Sequence, residues 1–297
     1  MKPAPRRKKH RRKLRWGRVI LALFLVFVLI VGIAGVGAYY YIDYRLNHGT
    51  STYIAVMGTD ERPSDTNDQR SDVIMLAHID FTNSQVNLIS LPRDSYVSIP
   101  CEDNSYDKIT HSYAYGGSAC TIETLEGVFE LDDIPNYAIV NFDSVIEMVD
   151  ELGGITLTPT KTFCELSVDK QREYCYTKGQ TMEMDGETAL TYARHRHSDS
   201  DIYRTQRTQE VLTAMMVKAK SLDIWHVYQL GTKVLGQIKT NISILDALTY
   251  YKLVQRDNFS LTRETADGED SYIDGVYYYQ LDDDWLNDIK ARLHNEN

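Results

Sequence analysis

Two aspartates, Asp60 and Asp72, stand where predicted strands end and begin, and their carboxylates could share a divalent cation. Asp60 follows the apolar run Tyr53–Met57, and Asp72 opens the run Asp72–Ile79. Mg²⁺ in proteins usually takes one or two carboxylates together with phosphate oxygens. Aspartate is also frequent in the turns that follow strands, so each residue alone has a purely structural interpretation.

Arginines lie beside these aspartates and recur along the chain where they could bind phosphate. Arg70 precedes Asp72, and Arg93 follows the run Gln85–Leu91, where a salt bridge to Asp94 is the alternative to anion binding. Four more fall within 14 residues, between two predicted helices: Arg194, Arg196, Arg204 and Arg207. A guanidinium offers five donors in a planar fork that matches phosphate oxygens. Because like charges repel, such a cluster needs an anion or buried acids.

Several other residues near these groups have an interpretation as structure and one as function. His195 and His197 could be a general base or metal ligands. Their position between arginines favours residues that fill the space there and take no part in the chemistry. The apolar stripe on 211–219 could line a groove for a lipid tail, but packing in the core is the default. Likewise, the tyrosine run 277–279 is more typical of a sheet surface or core than of a sugar platform.

The charge of the chain is divided between a basic tail and an acidic body. Residues 1–18 carry ten Lys or Arg and no acid, so 22 basic residues remain against 42 acidic ones and the rest sums to −20. Val19–Ala38 has 20 residues without a charge, which as a helix spans a bilayer core of about 30 Å. The positive-inside rule then places the body outside the cell. A cleaved signal peptide is the alternative, but its apolar core is usually shorter.

These features predict a basic cytoplasmic tail at 1–18, a transmembrane signal-anchor helix at 19–41, a linker at 42–50 and one extracellular domain at 51–297. Nucleic acid as a partner is excluded by this topology, since the arginine cluster lies outside the cell. Within the domain, predicted strands alternate with helices, among them Ala119–Phe129, Gly186–Arg194 and a helix capped by Asp143. We therefore expect an α/β fold with a central mixed sheet flanked by helices in α/β/α layers.

Four cysteines fit an oxidising, extracellular compartment. Cys101 and Cys120 are close in sequence, as are Cys164 and Cys175, so two local disulfides are plausible. Four cysteines nevertheless allow three pairings, and the sequence does not choose among them. A zinc site is disfavoured, because no closely spaced cysteine pair or matching histidines accompany them.

The motifs, in their order along the chain, resemble the LytR–CpsA–Psr family of envelope assembly proteins. The matching segments are GTDER at 58–62, RSD at 70–72, SLPRD at 90–94, KITHSY at 108–113, VDELGG at 149–154, GETALTYARHR at 186–196 and DIYRTQR at 201–207. Each segment is short, but the ordered series over residues 51–220 is specific.

The resemblance implies an enzyme that moves a glycopolymer from a polyprenyl-pyrophosphate carrier to peptidoglycan, forming a phosphodiester. It implies a cofactor, Mg²⁺ or Mn²⁺, at Asp60 and Asp72. The positions that match the pyrophosphate-binding arginines are Arg70, Arg93, Arg194, Arg196 and Arg204, with Arg207 in the same motif. Asp201 matches an acid tied to them, and we assign catalytic roles to Arg93, Asp201 and Arg204. In one departure, Thr208 precedes Gln209 where the family usually has two glutamines.

Two other activities are compatible with the same residues. A hydrolase would use water as the acceptor on the same lipid-linked pyrophosphate, and a non-enzymatic envelope protein would bind the polyprenyl lipid without turnover. The polymer itself stays open between teichoic acid, capsule and another glycan.

Overall fold

A computed structural model describes residues 16–59, 70–195 and 201–295 of the chain. The helices in this part of the chain are α1 (Trp16–His48), α2 (Ile109–Phe129), α3 (Phe142–Glu151), α4 (Gly186–Arg194), α5 (Asp201–Lys220), α6 (Ile224–Val234), α7 (Ile244–Val254) and α8 (Asp283–Asn295). The strands are β1 (Ser51–Thr59), β2 (Ser71–Asp80), β3 (Gln85–Leu91), β4 (Tyr96–Ile99), β5 (Ser105–Lys108), β6 (Asn136–Val140), β7 (Ile155–Leu157), β8 (Phe163–Leu166), β9 (Glu173–Tyr176), β10 (Met182–Met184), β11 (Lys239–Thr240), β12 (Ser260–Thr265), β13 (Gly268–Ile273) and β14 (Val276–Leu281).

A six-stranded mixed sheet forms the centre of the fold, in the order β11-β6-β1-β2-β3-β12. The pairs β1/β2, β2/β3 and β6/β11 are antiparallel, whereas β1/β6 and β3/β12 are parallel. Along β1, alternate side chains enter separate cores, as the two-residue period of a strand requires. Ala55 and Met57 pack in the core that also holds residues of α2 and α8, while Ile54 belongs to the core that holds Leu253 of α7. The predicted mixed sheet with helices on its faces is confirmed.

A separate apolar cluster joins α3, α4 and α5 to the two-stranded antiparallel sheet β7/β10 and the short hairpin β8/β9. Its fully buried members include Val149, Tyr176, Ala189 and Tyr192. Both local cysteine pairs are disulfide-bonded, Cys101–Cys120 and Cys164–Cys175, and the second closes the β8/β9 hairpin. Of the pairings that the sequence left open, the local one is therefore formed.

Two helix starts differ from the sequence expectation. Helix α2 begins ten residues before the predicted Ala119, but its helical geometry is interrupted at Gly116 and Gly117, the latter with φ of 65°. The predicted start therefore falls two residues after that interruption, in the second helical segment. A Cβ on Gly116 would lie 2.7 Å from the Cβ of Cys120, which explains the glycine there. The N-cap of α3 is Asn141, whose side chain accepts from the backbone N–H of Ser144, so the predicted cap at Asp143 is wrong.

The chain divides into two compact units, Met1–Asp43 and Tyr44–Asn297. The first contains most of α1, whose large apolar side chains Phe24, Phe27 and Ile33 are all more than half exposed. Among residues 16–59, 70–195 and 201–295, no helix has both the length and the apolar character needed to cross a membrane. The predicted tail and span fall partly on residues outside that set, so those boundaries stay predictions.

Candidate active site

The ends of four central strands meet at one edge of the sheet and supply the polar residues of the site. Strands β1, β3 and β6 end there, and β2, which runs antiparallel to β1 and β3, begins there. This geometry places Thr59, Asp72, Arg93 and Asn141 at the same edge, because parallel strands end on the same side of a sheet. The predicted grouping of Asp72 with Arg93 is thereby explained by topology.

A cavity of about 340 Å³ opens at this edge, between the sheet and helices α3, α4 and α5. Its polar lining includes Thr59, Asp72, Glu165, Arg194 and Arg204. The apolar lining comes from strands and helices alike: Val56, Val73, Val140, Phe142, Val145, Met148, Leu190, Val211, Leu212 and Met215. The apolar stripe on 211–219 belongs to α5, and core packing was its default interpretation. Part of this stripe therefore faces a cavity.

Asp72 is held between two arginines. Nη1 of Arg93 donates to Oδ1 of Asp72 across 3.0 Å, and Nη1 of Arg204 lies 3.8 Å from Oδ2. Nη2 of Arg204 also donates to the backbone carbonyl of Asp72 at 2.7 Å. The Arg204 side chain is only 7% exposed, whereas those of Arg93 and Asp72 are 29% and 33% exposed. Two guanidinium groups are therefore fixed beside one carboxylate that solvent or a ligand can reach.

Arg93 is positioned by a network behind it. Its Nε lies 3.4 Å from Asp94, which in turn binds Nζ of Lys108 at 2.7 Å. The backbone carbonyl of Arg93 accepts from the N–H of Thr110, whose hydroxyl donates to the carbonyl of Ser71. The KITHSY segment thus holds the Arg93 and Asp72 segments together, a role that sequence reasoning did not assign to Lys108 or Thr110.

The arginines of the 194–207 cluster do not all face the cavity. Arg194, the last residue of α4, lines it, with its guanidinium carbon 4.8 Å from the centre of the Phe142 ring. Arg207 is buried, donates to the backbone carbonyl of His195 and lies over the Phe163 ring at 5.2 Å. It is absent from the cavity lining and supports the end of α4 at His195.

The remaining predicted site residues stand apart or cannot be placed. Arg70 is exposed just before β2 and does not line the cavity. Asp60, Arg196 and His197 lie outside the described residues, as does the side chain of Asp201, the first residue of α5.

Glu165 lines the cavity, although no sequence motif marks it. Its Oε2 lies 2.7 Å from Nδ1 of His195, and the His195 ring stacks on Phe163 with centroids 4.0 Å apart. His195 is 2% exposed, so it is a core residue rather than a solvent-facing base. The contact crosses 30 residues of sequence, and no local pattern marks it.

Gln209 explains the departure at Thr208. Its Nε2 donates to Oγ of Ser90 at 2.7 Å and to the backbone carbonyl of Glu264 at 2.9 Å, which ties α5 to β3 and β12. Thr208 lines the cavity, and its hydroxyl donates to the backbone carbonyl of Arg204. A single glutamine is therefore enough for the structural tie.

The donor set is compatible with a hard cation. Asp72 supplies a partly exposed carboxylate, and the buried hydroxyl of Thr59 has no hydrogen-bond partner among the residues that the structure describes. Oxygen donors of this kind, completed by phosphate oxygens, are what Mg²⁺ prefers. Asp72 already contacts two arginines, so a cation there would share the carboxylate with them.

Chemically, the site combines a positive mouth with an apolar interior. Arg93, Arg194 and Arg204 supply bidentate donors for phosphate oxygens. The apolar walls between α3 and α5 would accept a hydrocarbon chain, because burying apolar surface is favourable at about 25 cal/mol per Å². A phosphorylated lipid carries both features in one molecule.

Comparison with known proteins shows which family and which solved structures the chain resembles. Residues 41–295 match the model of the LytR_cpsA_psr family. The polyisoprenyl-teichoic acid–peptidoglycan teichoic acid transferase TagT of Bacillus subtilis is 33% identical over 98% of this chain and 97% of its own length. The crystal structure of B. subtilis TagV superposes with a TM-score of 0.75 at 26% identity, covering 83% of this chain and 97% of TagV. TagT with bound octaprenyl pyrophosphate lipid superposes with a TM-score of 0.65 at 28% identity, covering 83% and 90%.

Proposed function

The chain belongs to the LytR–CpsA–Psr family, and we propose that it is a phosphotransferase that moves a glycopolymer from a polyprenyl-pyrophosphate carrier to peptidoglycan. The observation that carries the proposal is that Asp72 and Arg204 line an apolar cavity, with Arg93 bound to the same carboxylate of Asp72. The diphosphate would bind at the arginines and the prenyl chain between α3 and α5. The name of TagT makes a teichoic acid the first polymer to test.

In the proposed reaction, a hydroxyl of peptidoglycan attacks the phosphorus that carries the polymer. A new P–O bond forms, the bond to the bridging oxygen breaks, and polyprenyl phosphate leaves with the electron pair of that bond. The hydroxyl proton passes to a base, for which Asp201 is the candidate. Since phosphoryl transfer depends mainly on positioning and charge stabilisation, the guanidinium groups of Arg93, Arg194 and Arg204 supply most of what is needed.

A divalent cation, Mg²⁺ or Mn²⁺, would be held by Asp72 and Asp60, with the hydroxyl of Thr59 close by. When bound, it neutralises phosphate charge and polarises the phosphorus–oxygen bonds. Arg70, Arg196 and Arg207 stay in the proposal as family-matched positions, Arg207 through its support of His195.

The body of the protein would lie outside the cell, attached by α1. Support for this anchor comes from the uncharged run Val19–Ala38, the basic residues before it and the exposed apolar side chains of α1. A single-pass anchor would hold the protein at the membrane that carries the lipid donor, in an envelope of the Gram-positive type.

The proposal is tested with the full chain in detergent, polyprenyl-pyrophosphate-linked teichoic acid, peptidoglycan sacculi stripped of polymer, and Mg²⁺. Released polyprenyl phosphate and sacculus-bound polymer are measured together, and we expect equal molar amounts. Lipid phosphate released without attached polymer would instead identify a hydrolase. Lipid binding without either product would identify a binding protein.

A further inference from the structure

A cluster of tyrosine rings covers the surface where the β4/β5 and β13/β14 hairpins meet. The ring of Tyr96 lies with its centroid 5.2 Å from that of Tyr106 and 4.8 Å from that of Tyr278. Tyr106 is 60% exposed, while Tyr96 and Tyr278 are partly exposed. We call these three residues the tyrosine cluster. Clusters of exposed aromatic side chains on the surface of a protein commonly mark a binding site.

The two hairpins are fixed to each other, so the cluster is a formed surface. The N–H of Tyr279 donates to the backbone carbonyl of Asp94 at 2.8 Å, and Ser95 forms a parallel bridge with Tyr279. The Tyr279 side chain is buried in the main core. The backbone that carries Tyr278 is therefore anchored directly beside Arg93-Asp94.

A short chain of contacts connects the cluster to the proposed active site. Nζ of Lys108 lies 5.6 Å from the ring centre of Tyr278 and 2.7 Å from Oδ1 of Asp94. Asp94 in turn contacts Arg93, which donates to Asp72. The tyrosine cluster is thus linked, through Lys108 and Asp94, to one of the arginines that we assign to the diphosphate.

The charge around the cluster decides between two kinds of polymer. Glu269 lies on the same face of its hairpin as Tyr278, and the turns of the two hairpins add Glu102, Asp103 and Asp274. Asp107 and Asp270 lie on the opposite faces, where they bind His111 and Tyr277. Lys108 is the one basic residue in the described segments 96–108 and 268–281, and Asp94 already neutralises it. Such a surface repels a phosphate-rich polymer. Sugar rings without phosphate can stack on tyrosine and donate hydroxyls to carboxylates.

We propose that the tyrosine cluster is the subsite for the acceptor, binding N-acetylated sugar rings of the peptidoglycan chain next to the reacting hydroxyl. This inference rests on the proposed function and adds the place where its acceptor binds. The donor polymer, when it is a phosphate-rich teichoic acid, leaves the cavity in another direction.

The test measures binding of the full-length protein in detergent to peptidoglycan sacculi freed of attached polymer. Tyr106→Ser and Tyr278→Ser should each weaken this binding about fivefold or more, a loss typical of one aromatic contact. Tyr106→Phe keeps the ring and should bind within about twofold of the wild type. Tyr228→Ser, at an exposed tyrosine of α6, is the matched control and should change nothing.

Binding of polyprenyl-pyrophosphate-linked teichoic acid is measured in parallel on the same variants. Unchanged donor binding with weakened sacculus binding supports the inference. Sacculus binding equal to the wild type in both serine variants overturns it, as does a loss confined to the donor. Neither binding measurement requires turnover, whereas transfer activity is measured on the wild type alone. A failure of the proposed subsite can therefore be told apart from a failure of the proposed transfer activity.

Discussion

Arg93 donates through Nη1 to Oδ1 of Asp72 across 3.0 Å, although 21 residues separate the two in sequence. The pair forms because β3 ends at the edge of the sheet where β2 begins. Arg204 reaches the same carboxylate from α5, at 3.8 Å. Two segments distant in sequence thus bring guanidinium groups to one carboxylate. The proposed binding of a diphosphate depends on their positive charge.

Removing either arginine should slow transfer without unfolding the protein. We expect Arg93→Ala and Arg204→Ala to lower kcat/KM for the lipid-linked donor by an amount equivalent to about 2–4 kcal/mol, as for other electrostatic stabilisers. Arg93→Lys should recover part of the loss, because lysine keeps the charge but not the bidentate geometry. Arg263→Ala, at an exposed arginine of β12, is the control. Full activity in both alanine variants would contradict the proposed role.

The apolar walls of the cavity should set the tolerated length of the prenyl chain. Leu212→Trp adds volume to the lining and should raise KM for a long-chain polyprenyl donor about tenfold, because close-packed interiors do not absorb added volume. A donor with a short prenyl chain should be affected much less. Val217→Trp, at a position of the same helix that is 66% exposed, is the matched control. Equal effects on long and short donors would place the chain elsewhere.

Glu165 should contribute to stability through His195. Glu165→Ala removes a carboxylate 2.7 Å from a buried imidazole, and we expect the free energy of unfolding to fall by about 1–3 kcal/mol. Glu165→Gln keeps an oxygen in place and should cost less. Glu173→Ala, on the neighbouring strand β9 and exposed, serves as the reference in the same urea titration. If both alanine variants lose the same stability, the Glu165 contact contributes nothing specific.

Stability should depend on pH through His78. Burial in β2, opposed by the nearby Asp80, lowers the pKa of His78 below 6.5. As pH falls through about 6.5, the unfolded chain binds a proton there and the folded protein does not, so the free energy of unfolding falls. His78→Gln should flatten this decline between about pH 7 and pH 5, measured by urea unfolding, whereas His48→Gln should not. Parallel pH profiles for wild type and His78→Gln would refute this.

Elements with a clear apolar period were predictable from sequence, and those defined by distant contacts were not. Strand β3 and helix α4 have the predicted bounds, Gln85–Leu91 and Gly186–Arg194. Strand β11 has two residues and exists only by pairing with β6. The segment of α2 before Gly116-Gly117 was not predicted, whereas the segment after it, which Cys120 ties to Cys101, begins near the predicted Ala119.

The same division applies to the site. The chemistry of residues at strand and helix ends predicts four site residues: Asp72, Arg93, Arg194 and Arg204. The fold places Asp72 and Arg93 at one edge of the sheet, and Asp72, Arg194 and Arg204 line the cavity there. Arg204 and Arg207 cannot be told apart by residue type. Their positions on helix α5 decide that Arg204 contacts Asp72 and Arg207 contacts His195. Glu165 carries no motif, and its place in the cavity follows from a hairpin remote in sequence.

We propose that one diphosphate binds between the guanidinium groups of Arg93, Arg194 and Arg204, with its prenyl chain in the cavity. A crystal structure of the protein with a short-chain prenyl pyrophosphate tests it most directly. We predict phosphate oxygens within hydrogen-bonding distance of Arg93, Arg194 and Arg204, and the hydrocarbon between Met148 and Leu212. A diphosphate bound away from these arginines, or a prenyl chain outside the cavity, would show that this mode of binding is wrong.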